Sequence, residues 1–110
     1  MKKILSLSLI LLSVNSFAGY LVKDASVTRV SSTNWDEKVF TVSISGGTGD
    51  CLSSVTFPEE YSQSTVAYSL SFSMAMSAYL HNKKITVYNY GDKEYQGNKC
   101  HGANFIEIHD

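Results

Sequence analysis

The segment Tyr68-Ser69-Leu70-Ser71-Phe72-Ser73-Met74-Ala75-Met76-Ser77 decides the fold, because it is compatible with two structures. Its apolar residues alternate with serines, which is typical of a strand. The run is about twice as long as an ordinary strand, however, and it contains few β-branched residues. Ser62 and Ser64 precede it as potential N-caps, and Asn82, followed by two lysines, suits the end of a helix. We therefore predict a helix over about residues 62–81.

A helix in this segment would be apolar on more than one side. Successive residues turn by about 100°, so the serines do not gather into one polar face. Such a helix must be covered on several sides, and a small domain can cover one of them with its own sheet. Self-association would cover the rest; the alternative is that the serines pack without a partner and the tyrosine hydroxyls face water. The predicted interface residues are Tyr68, Phe72 and Tyr79 on one side, and Val66, Leu70 and Met74 on another.

Strands are predicted on both sides of this helix. Alternation, or enrichment in β-branched and aromatic residues, marks five segments: residues 20–30, 39–45, 54–57, 84–90 and 104–108. The first of them is either one strand or a bent pair. One helix inserted before the last two of five or six antiparallel strands is the arrangement of a small OB-like barrel. The expected fold class is α+β, mainly antiparallel β, in a single domain over residues 19–110.

Residues 1–18 differ in composition from the rest of the chain. Lys2 and Lys3 give a positive start, residues 4–14 are apolar apart from serines, and Ser16-Phe17-Ala18 offers small residues for cleavage. This layout is typical of a secretory signal peptide, and the apolar run is about half as long as a membrane span requires. We predict cleavage after Ala18 and an exported protein, periplasmic or secreted, with no membrane span.

Charge and composition restrict the partners. The 110 residues include 10 acidic and 9 basic side chains, and 44% are apolar, which is too high for a disordered chain. The formal charge of −1 would become −3 without the two lysines of the leader. Such a chain lacks the basic face that nucleic acids require. We expect a second copy, a glycan or another protein as partner, and no nucleic acid.

Export also affects the two cysteines, Cys51 and Cys100. An oxidising compartment favours a disulfide between them, and neither belongs to a Cys-x-x-Cys motif. Two free thiols or a redox pair are the alternatives. With two cysteines and three histidines, the chain shows no metal-binding set of recognisable spacing, and we expect neither metal nor cofactor.

Catalytic motifs are missing from the sequence. No serine lies in Gly-x-Ser-x-Gly, and the glycine-rich stretch at residues 46–50 lacks the lysine and hydroxyl residue of a phosphate-binding loop. A disulfide would remove the thiol of Cys100, the neighbour of His101, as a nucleophile. We therefore expect a non-enzymatic protein.

Aromatic and amide side chains concentrate near the loop that follows the predicted strand 84–90. Aromatic faces stack on sugar rings, while amides and lysines bind hydroxyls and carboxylates. The alternative is that these tyrosines are half-buried, as on any small β domain. Trp35, in a polar turn, is either a lid on the barrel or an exposed anchor. The candidate ligand-binding residues are Trp35, Tyr88, Tyr90, Tyr95, Asn98 and Lys99.

Two resemblances follow from these patterns. A strand like residues 39–43, a segment like Thr56-Phe57-Pro58 before a long helix, and the strand at residues 85–88 resemble the B subunits of subtilase-type and typhoid-type A–B-five bacterial toxins. Tyr88-Asn89-Tyr90, a lone cysteine and the run from Gly102 to Ile108 resemble a group of small exported bacterial proteins of unknown function. The second resemblance is the more specific one, and it implies no activity.

The toxin resemblance implies a homopentamer that binds sialylated or other glycans and lines a central pore with its helices. Two departures limit it: Cys51 and Cys100 are not placed like the toxin cysteines, and no glycan-contacting residue can be carried over. The leading hypothesis is a glycan-recognising, homo-oligomeric binding module that resembles a toxin B subunit. The alternative hypothesis is a periplasmic structural or accessory protein that binds another protein and no sugar.

Overall fold

The computed structural model describes residues 19–32 and 38–110. The predicted leader, residues 1–18, and Trp35 lie outside the described residues. Within them, one helix stands between the third and fourth of five strands, so the predicted α+β class is confirmed. The elements in chain order are β1 (Tyr20–Ser32), β2 (Val39–Ser45), β3 (Ser54–Pro58), α1 (Thr65–His81), β4 (Lys84–Tyr88) and β5 (Phe105–His109). Short 3₁₀ turns occupy Glu59–Tyr61 and Lys99–His101.

The five strands form one antiparallel sheet in the order β3-β2-β1-β4-β5. The central strand is β1, which pairs with β4 along its first half and with β2 along its second half. Register shifts interrupt both ladders of β1, between Tyr20 and Val22, between Val22 and Ala25, and between Val27 and Arg29. Such bulges bend a strand, so residues 20–32 form one bent strand rather than two short ones.

Helix α1 covers the inner face of the sheet through an aromatic contact. The Phe40 ring is 1% exposed, and its centroid lies 5.4 Å from that of Tyr68 and 5.2 Å from that of Phe72. The ring centroid of Phe57 lies 4.6 Å from that of Phe40. Ala75, with no exposed surface, lets the helix approach the sheet closely because its side chain is a single methyl group.

Both ends of α1 are capped as the sequence indicates. The Ser64 hydroxyl accepts a hydrogen bond from the N–H of Ala67 at 3.1 Å, which satisfies one free donor of the first turn. Asn82 ends the helix in the left-handed conformation, with φ 57°. The helix begins at Thr65 rather than 62, because the 3₁₀ turn ends at Tyr61 and the backbone is extended at both Ser62 and Ser64. No helix in the described part of the chain is long and apolar enough to cross a membrane.

A disulfide joins Cys51 to Cys100, with the sulfurs 2.02 Å apart, so the predicted pairing is confirmed. It connects the segment between β2 and β3 to the 3₁₀ turn before β5. Close to it, the N–H of Ala103 donates a hydrogen bond to the carbonyl of Thr56 in β3, at 3.0 Å. Gly102 lies between these two connections, and a Cβ there would come within 2.4 Å of the Lys93 carbonyl oxygen. The chain entering β5 is therefore fixed covalently and by close packing.

Replacing both cysteines (Cys51→Ala with Cys100→Ala) should lower the free energy of unfolding of the 19–110 domain by about 4 kcal/mol, the chain-entropy estimate for a loop of this length. Urea denaturation measures this change. Reduced wild-type protein is the control, since it loses the bridge without losing side-chain volume. A loss below about 1 kcal/mol in both would show that the bridge does not hold the fold together.

Candidate functional site

The outer face of the sheet carries the candidate site. Side chains alternate along a strand, and directly paired residues of an antiparallel ladder point to the same face. Ile85, Val87 and Ile106 are buried on the inner face. Their neighbours therefore point outwards, in the cross-strand pairs Tyr88 with Phe105, Thr86 with Glu107, and Lys84 with His109.

Four rings at one end of this face form the feature that we call the aromatic surface: Tyr20, Tyr88, Tyr90 and Phe105. The rings of Tyr88 and Tyr90 are stacked, with centroids 5.2 Å apart and planes 3° from parallel. Phe105 meets both edge-on, at 5.4 and 5.6 Å. Tyr20, the cross-strand partner of Tyr88, is 47% exposed, and Tyr90 is 54% exposed. The surface thus combines a fixed ring arrangement with ring area open to solvent.

Asn104 positions Tyr90 in this arrangement. The N–H of Tyr90 donates to Oδ1 of Asn104, and Nδ2 of Asn104 donates to the Tyr90 carbonyl, both at 2.9 Å. The N–H of Asn104 donates in turn to the Tyr88 carbonyl at 3.0 Å. Tyr90 follows the last residue of β4 by two positions, where the ladder no longer holds the chain. The Asn104 amide takes over that function and keeps the Tyr90 ring against Tyr88.

Glu107 supplies a carboxylate beside the rings. The Tyr88 hydroxyl donates to Oε1 of Glu107 at 3.1 Å. Burial of its ring, together with the hydrogen bond to Glu107 and the negative charge of that carboxylate, raises the pKa of the Tyr88 phenol above its ordinary value. An ionised carboxylate has about four acceptor positions, and this hydrogen bond uses one. Glu107 can therefore accept further hydrogen bonds from a ligand that rests on the rings.

A second polar cluster, formed by Asp24, Thr86 and His109, lies at the other end of the outer face. Its geometry differs from that of a catalytic hydroxyl–imidazole–carboxylate relay. Nε2 of His109 lies 3.2 Å from Oδ1 of Asp24 and 3.2 Å from Oγ1 of Thr86. A relay needs the carboxylate on one ring nitrogen and the hydroxyl on the other. Here both contacts share Nε2, and the Thr86 hydroxyl also accepts from the N–H of Asp24 at 3.2 Å. In residues 19–32 and 38–110, no three His, Cys, Asp or Glu side chains group into a metal site.

The predicted ligand-binding residues fall into two sets. Tyr88 and Tyr90 belong to the aromatic surface, whereas Tyr95, Asn98 and Lys99 have contacts within the loop or against the turn after β3. The sixth, Trp35, lies outside the described residues. Tyr95 meets the ring of Tyr61 edge-on at 6.3 Å. Asn98 caps the second 3₁₀ turn, because its Oδ1 accepts a hydrogen bond from the N–H of Cys100. Nζ of Lys99 lies 3.7 Å from Oδ1 of Asp92.

Asn89, between the two tyrosines, organises that loop from inside. It is 3% exposed, and its side chain makes three hydrogen bonds. Oδ1 accepts from the N–H of Lys93 at 2.7 Å, and Nδ2 donates to the carbonyls of Lys93 and Lys99 at 2.7 and 3.0 Å. The Tyr-Asn-Tyr triplet therefore presents both rings outwards and its amide inwards.

The residues predicted for self-association also divide. Tyr68 and Phe72 pack against Phe40 in the core of their own subunit, and Met74 is half-buried against that core. Val66 and Leu70 remain 67% and 58% exposed. Tyr79 is 46% exposed, and Leu80, which the sequence reasoning did not select, is 66% exposed. The structure thus leaves three exposed apolar side chains on the solvent side of α1, which we call the helix stripe: Val66, Leu70 and Leu80. By helical spacing, serines at positions 69, 73 and 77 lie among them.

Sequence reasoning missed three members of the site, Tyr20, Phe105 and Glu107, and the positioning residue Asn104. The signal for Phe105 and Glu107 was present, since alternation through residues 104–108 places both on one face. The missing information was the register that sets Phe105 opposite Tyr88. Tyr20 had no local signal, because its place depends on pairing with a strand more than 60 residues later.

The fold and the site together define a small, disulfide-linked α+β domain with an exposed aromatic surface. The chain belongs to a family of unknown function, DUF5992, whose model matches residues 2–110. Comparison with curated proteins and with solved structures gave no match.

Tyr88 should titrate above the ordinary tyrosine pKa of 10.0. The phenolate absorbance that Tyr88→Phe removes from the wild-type titration measures this pKa directly. Glu107→Gln should lower it, because the negative charge that opposes ionisation is gone. Since the folded-state pKa is the higher one, Tyr88 contributes stability that is present below the unfolded pKa and is lost as the pH rises through the folded value. An unchanged Tyr88 titration in Glu107→Gln would contradict the contact.

Proposed function

We propose that this protein is an exported, non-enzymatic binding module that recognises a glycan on the aromatic surface. The observation that carries the proposal is the stacked pair of Tyr88 and Tyr90, held with exposed ring area beside the Glu107 carboxylate. One face of a sugar ring presents C–H groups, which pack on aromatic rings, and its edge presents hydroxyls, which donate to a carboxylate.

Preorganisation supports this proposal. Binding costs less when side chains are already ordered in the free protein. Asn104 fixes the backbone of Tyr90 through two hydrogen bonds, and Phe105 braces both tyrosine rings from the side. Export is supported by the disulfide between Cys51 and Cys100, because such bonds persist in oxidising compartments.

The OB-like barrel is part of the same proposal. Its support is the sheet order, in which β3 and β5 form the two edges and one helix separates β3 from β4. The hydrogen bond from Ala103 to Thr56 draws the start of β5 towards β3, as closure of a partly open barrel requires. The resemblance to toxin B subunits rests on this order of elements and supports a role in recognition.

We further propose that the protein acts as a homo-oligomer through the helix stripe. Val66, Leu70 and Leu80 lie on one side of α1 by helical spacing, and each is more than half exposed. A second copy would remove this apolar area from water. The same exposure also fits the alternative function, an accessory protein that binds another protein through this stripe.

Glycan binding should depend on Tyr90. We expect Tyr90→Ala to weaken binding by about tenfold or more, which corresponds to about 1.4 kcal/mol, because the most exposed ring of the stack is lost. A glycan array identifies the sugar, and calorimetry with that sugar measures the change. Tyr79→Ala is the matched control, since it removes a similarly exposed tyrosine from α1. Failure of the wild-type protein to bind any sugar, or equal losses in both variants, would refute the proposal.

Self-association should depend on the helix stripe. Light scattering of the oxidised 19–110 chain should give a multiple of the monomer mass, which is about 10 kDa for about 92 residues. Val66→Glu combined with Leu80→Glu should dissociate the oligomer, because both charges would be buried in the interface. Ser45→Glu, at an exposed position at the end of β2 and outside α1, is the control. A monomeric wild-type protein at high concentration would favour the accessory-protein alternative.

A further inference from the structure

An apolar groove runs between α1 and β5, directly beside the aromatic surface. Its volume is about 490 Å³, within the range of small-molecule sites. Helix α1 contributes Ala67, Leu70 and Met74 to its apolar lining, and the sheet side contributes Tyr90, Phe105 and Ile106. Polar side chains complete the lining: Tyr61, Gln63, Ser71 and Asn104.

The groove and the aromatic surface share two residues. Tyr90 and Phe105 line the groove and also form part of the ring cluster with Tyr88. A ligand lying on these rings therefore reaches the mouth of the groove without crossing intervening surface. Leu70 stands on the opposite wall and is 58% exposed, so its side chain has apolar area left to bury.

Charge restricts the part of the ligand that lies on the rings. Glu107 is the charged residue that is hydrogen-bonded to the stacked pair, through the Tyr88 hydroxyl. The nearest lysine on β4, Lys84, lies at the opposite end of that strand from Tyr88, and its Nζ donates to Ser26 at 3.3 Å. Nζ of Lys93 lies 5.8 Å from the ring centroid of Tyr61, a residue that lines the groove. Lys99 forms an ion pair with Asp92. A carboxylate accepts hydrogen bonds from hydroxyls and repels an acidic sugar.

We infer that the ligand is an uncharged sugar joined to an apolar group. The sugar ring packs on the exposed part of the Tyr90 ring, at the end of the stack with Tyr88, and its hydroxyls donate to Glu107. The apolar group enters the groove against Leu70 and Met74. This inference rests on the proposed glycan recognition and adds the class of ligand to it.

Alkyl glycosides test the inference. Methyl and hexyl glycosides of glucose and galactose would be titrated into the oxidised 19–110 chain by calorimetry, below the concentrations at which the hexyl compounds associate. Burying a methylene is worth about 0.8 kcal/mol, or about fourfold in affinity. We therefore expect at least about tenfold tighter binding of the hexyl than of the methyl compound for the preferred sugar, and no measurable binding of hexanol alone.

Two variants locate the apolar group. Leu70→Glu should remove the hexyl advantage and leave the affinity for the methyl glycoside unchanged, since Leu70 lines the groove and is not part of the aromatic surface. Leu80→Glu is the matched control, because it places the same charge on the same stripe outside the groove. A hexyl advantage that survives Leu70→Glu would place the alkyl chain elsewhere and overturn the inference. A hexyl advantage that is absent from the wild-type protein and appears in Leu80→Glu would also overturn the inference. It would mean that a second copy, and not the ligand, fills the groove of the wild-type protein.

Three further outcomes of these titrations distinguish a failure of this inference from a failure of the proposed function. Equal affinity for methyl and hexyl glycosides overturns the apolar group while sugar recognition stands. Tighter binding of the methyl glycoside of N-acetylneuraminic acid than of both neutral methyl glycosides overturns the uncharged sugar. Absence of binding by every glycoside and by every sugar of the glycan array, with the fold intact by circular dichroism, overturns both proposals together.

Discussion

The register between β4 and β5 is the constraint on which the outer face depends. It places Tyr88 opposite Phe105 and Thr86 opposite Glu107, so a ring and a carboxylate from β5 meet Tyr88 on one face. A slip of one residue would exchange the two faces of β5 and turn Ile106 outwards. The disulfide, the close approach at Gly102 and the hydrogen bond from Ala103 to Thr56 all act on the chain just before β5. Three separate contacts thus fix the residues that determine where β5 begins.

Helix α1 has two different sides because of residue size, not polarity. Phe72 and Tyr68 reach the sheet at Phe40, and Ala75 and Ala78 leave room for the backbone to approach. The opposite side carries leucine and valine among serines, which do not separate it chemically from the core side. The helix is consequently well anchored and still exposes Leu70 at the groove.

Local signals were sufficient to predict the type and order of the helix and strands, but not all of their ends. Ser64 and Asn82 mark the ends of α1, and the strand at residues 39–45 follows from strict alternation with no competing pattern. The interface and ligand residues were harder, because spacing on a helix shows which residues share a side but not which side meets the sheet. Tyr68 and Phe72 were therefore predicted at an interface, whereas they pack on Phe40. In the same way, Tyr95 is close to Tyr90 in sequence, but its ring packs on Tyr61.

Leu70 connects the two proposals, because it belongs both to the helix stripe and to the wall of the groove. A ligand that covers this side chain and a second copy that covers it compete for the same apolar area. Linkage then requires that the ligand weaken self-association by the same factor by which self-association weakens ligand binding. If a copy instead contacts only Val66 and Leu80, the two events are independent, and every subunit of an oligomer keeps its own groove. The position of Leu70 relative to the interface therefore determines whether recognition and assembly are coupled.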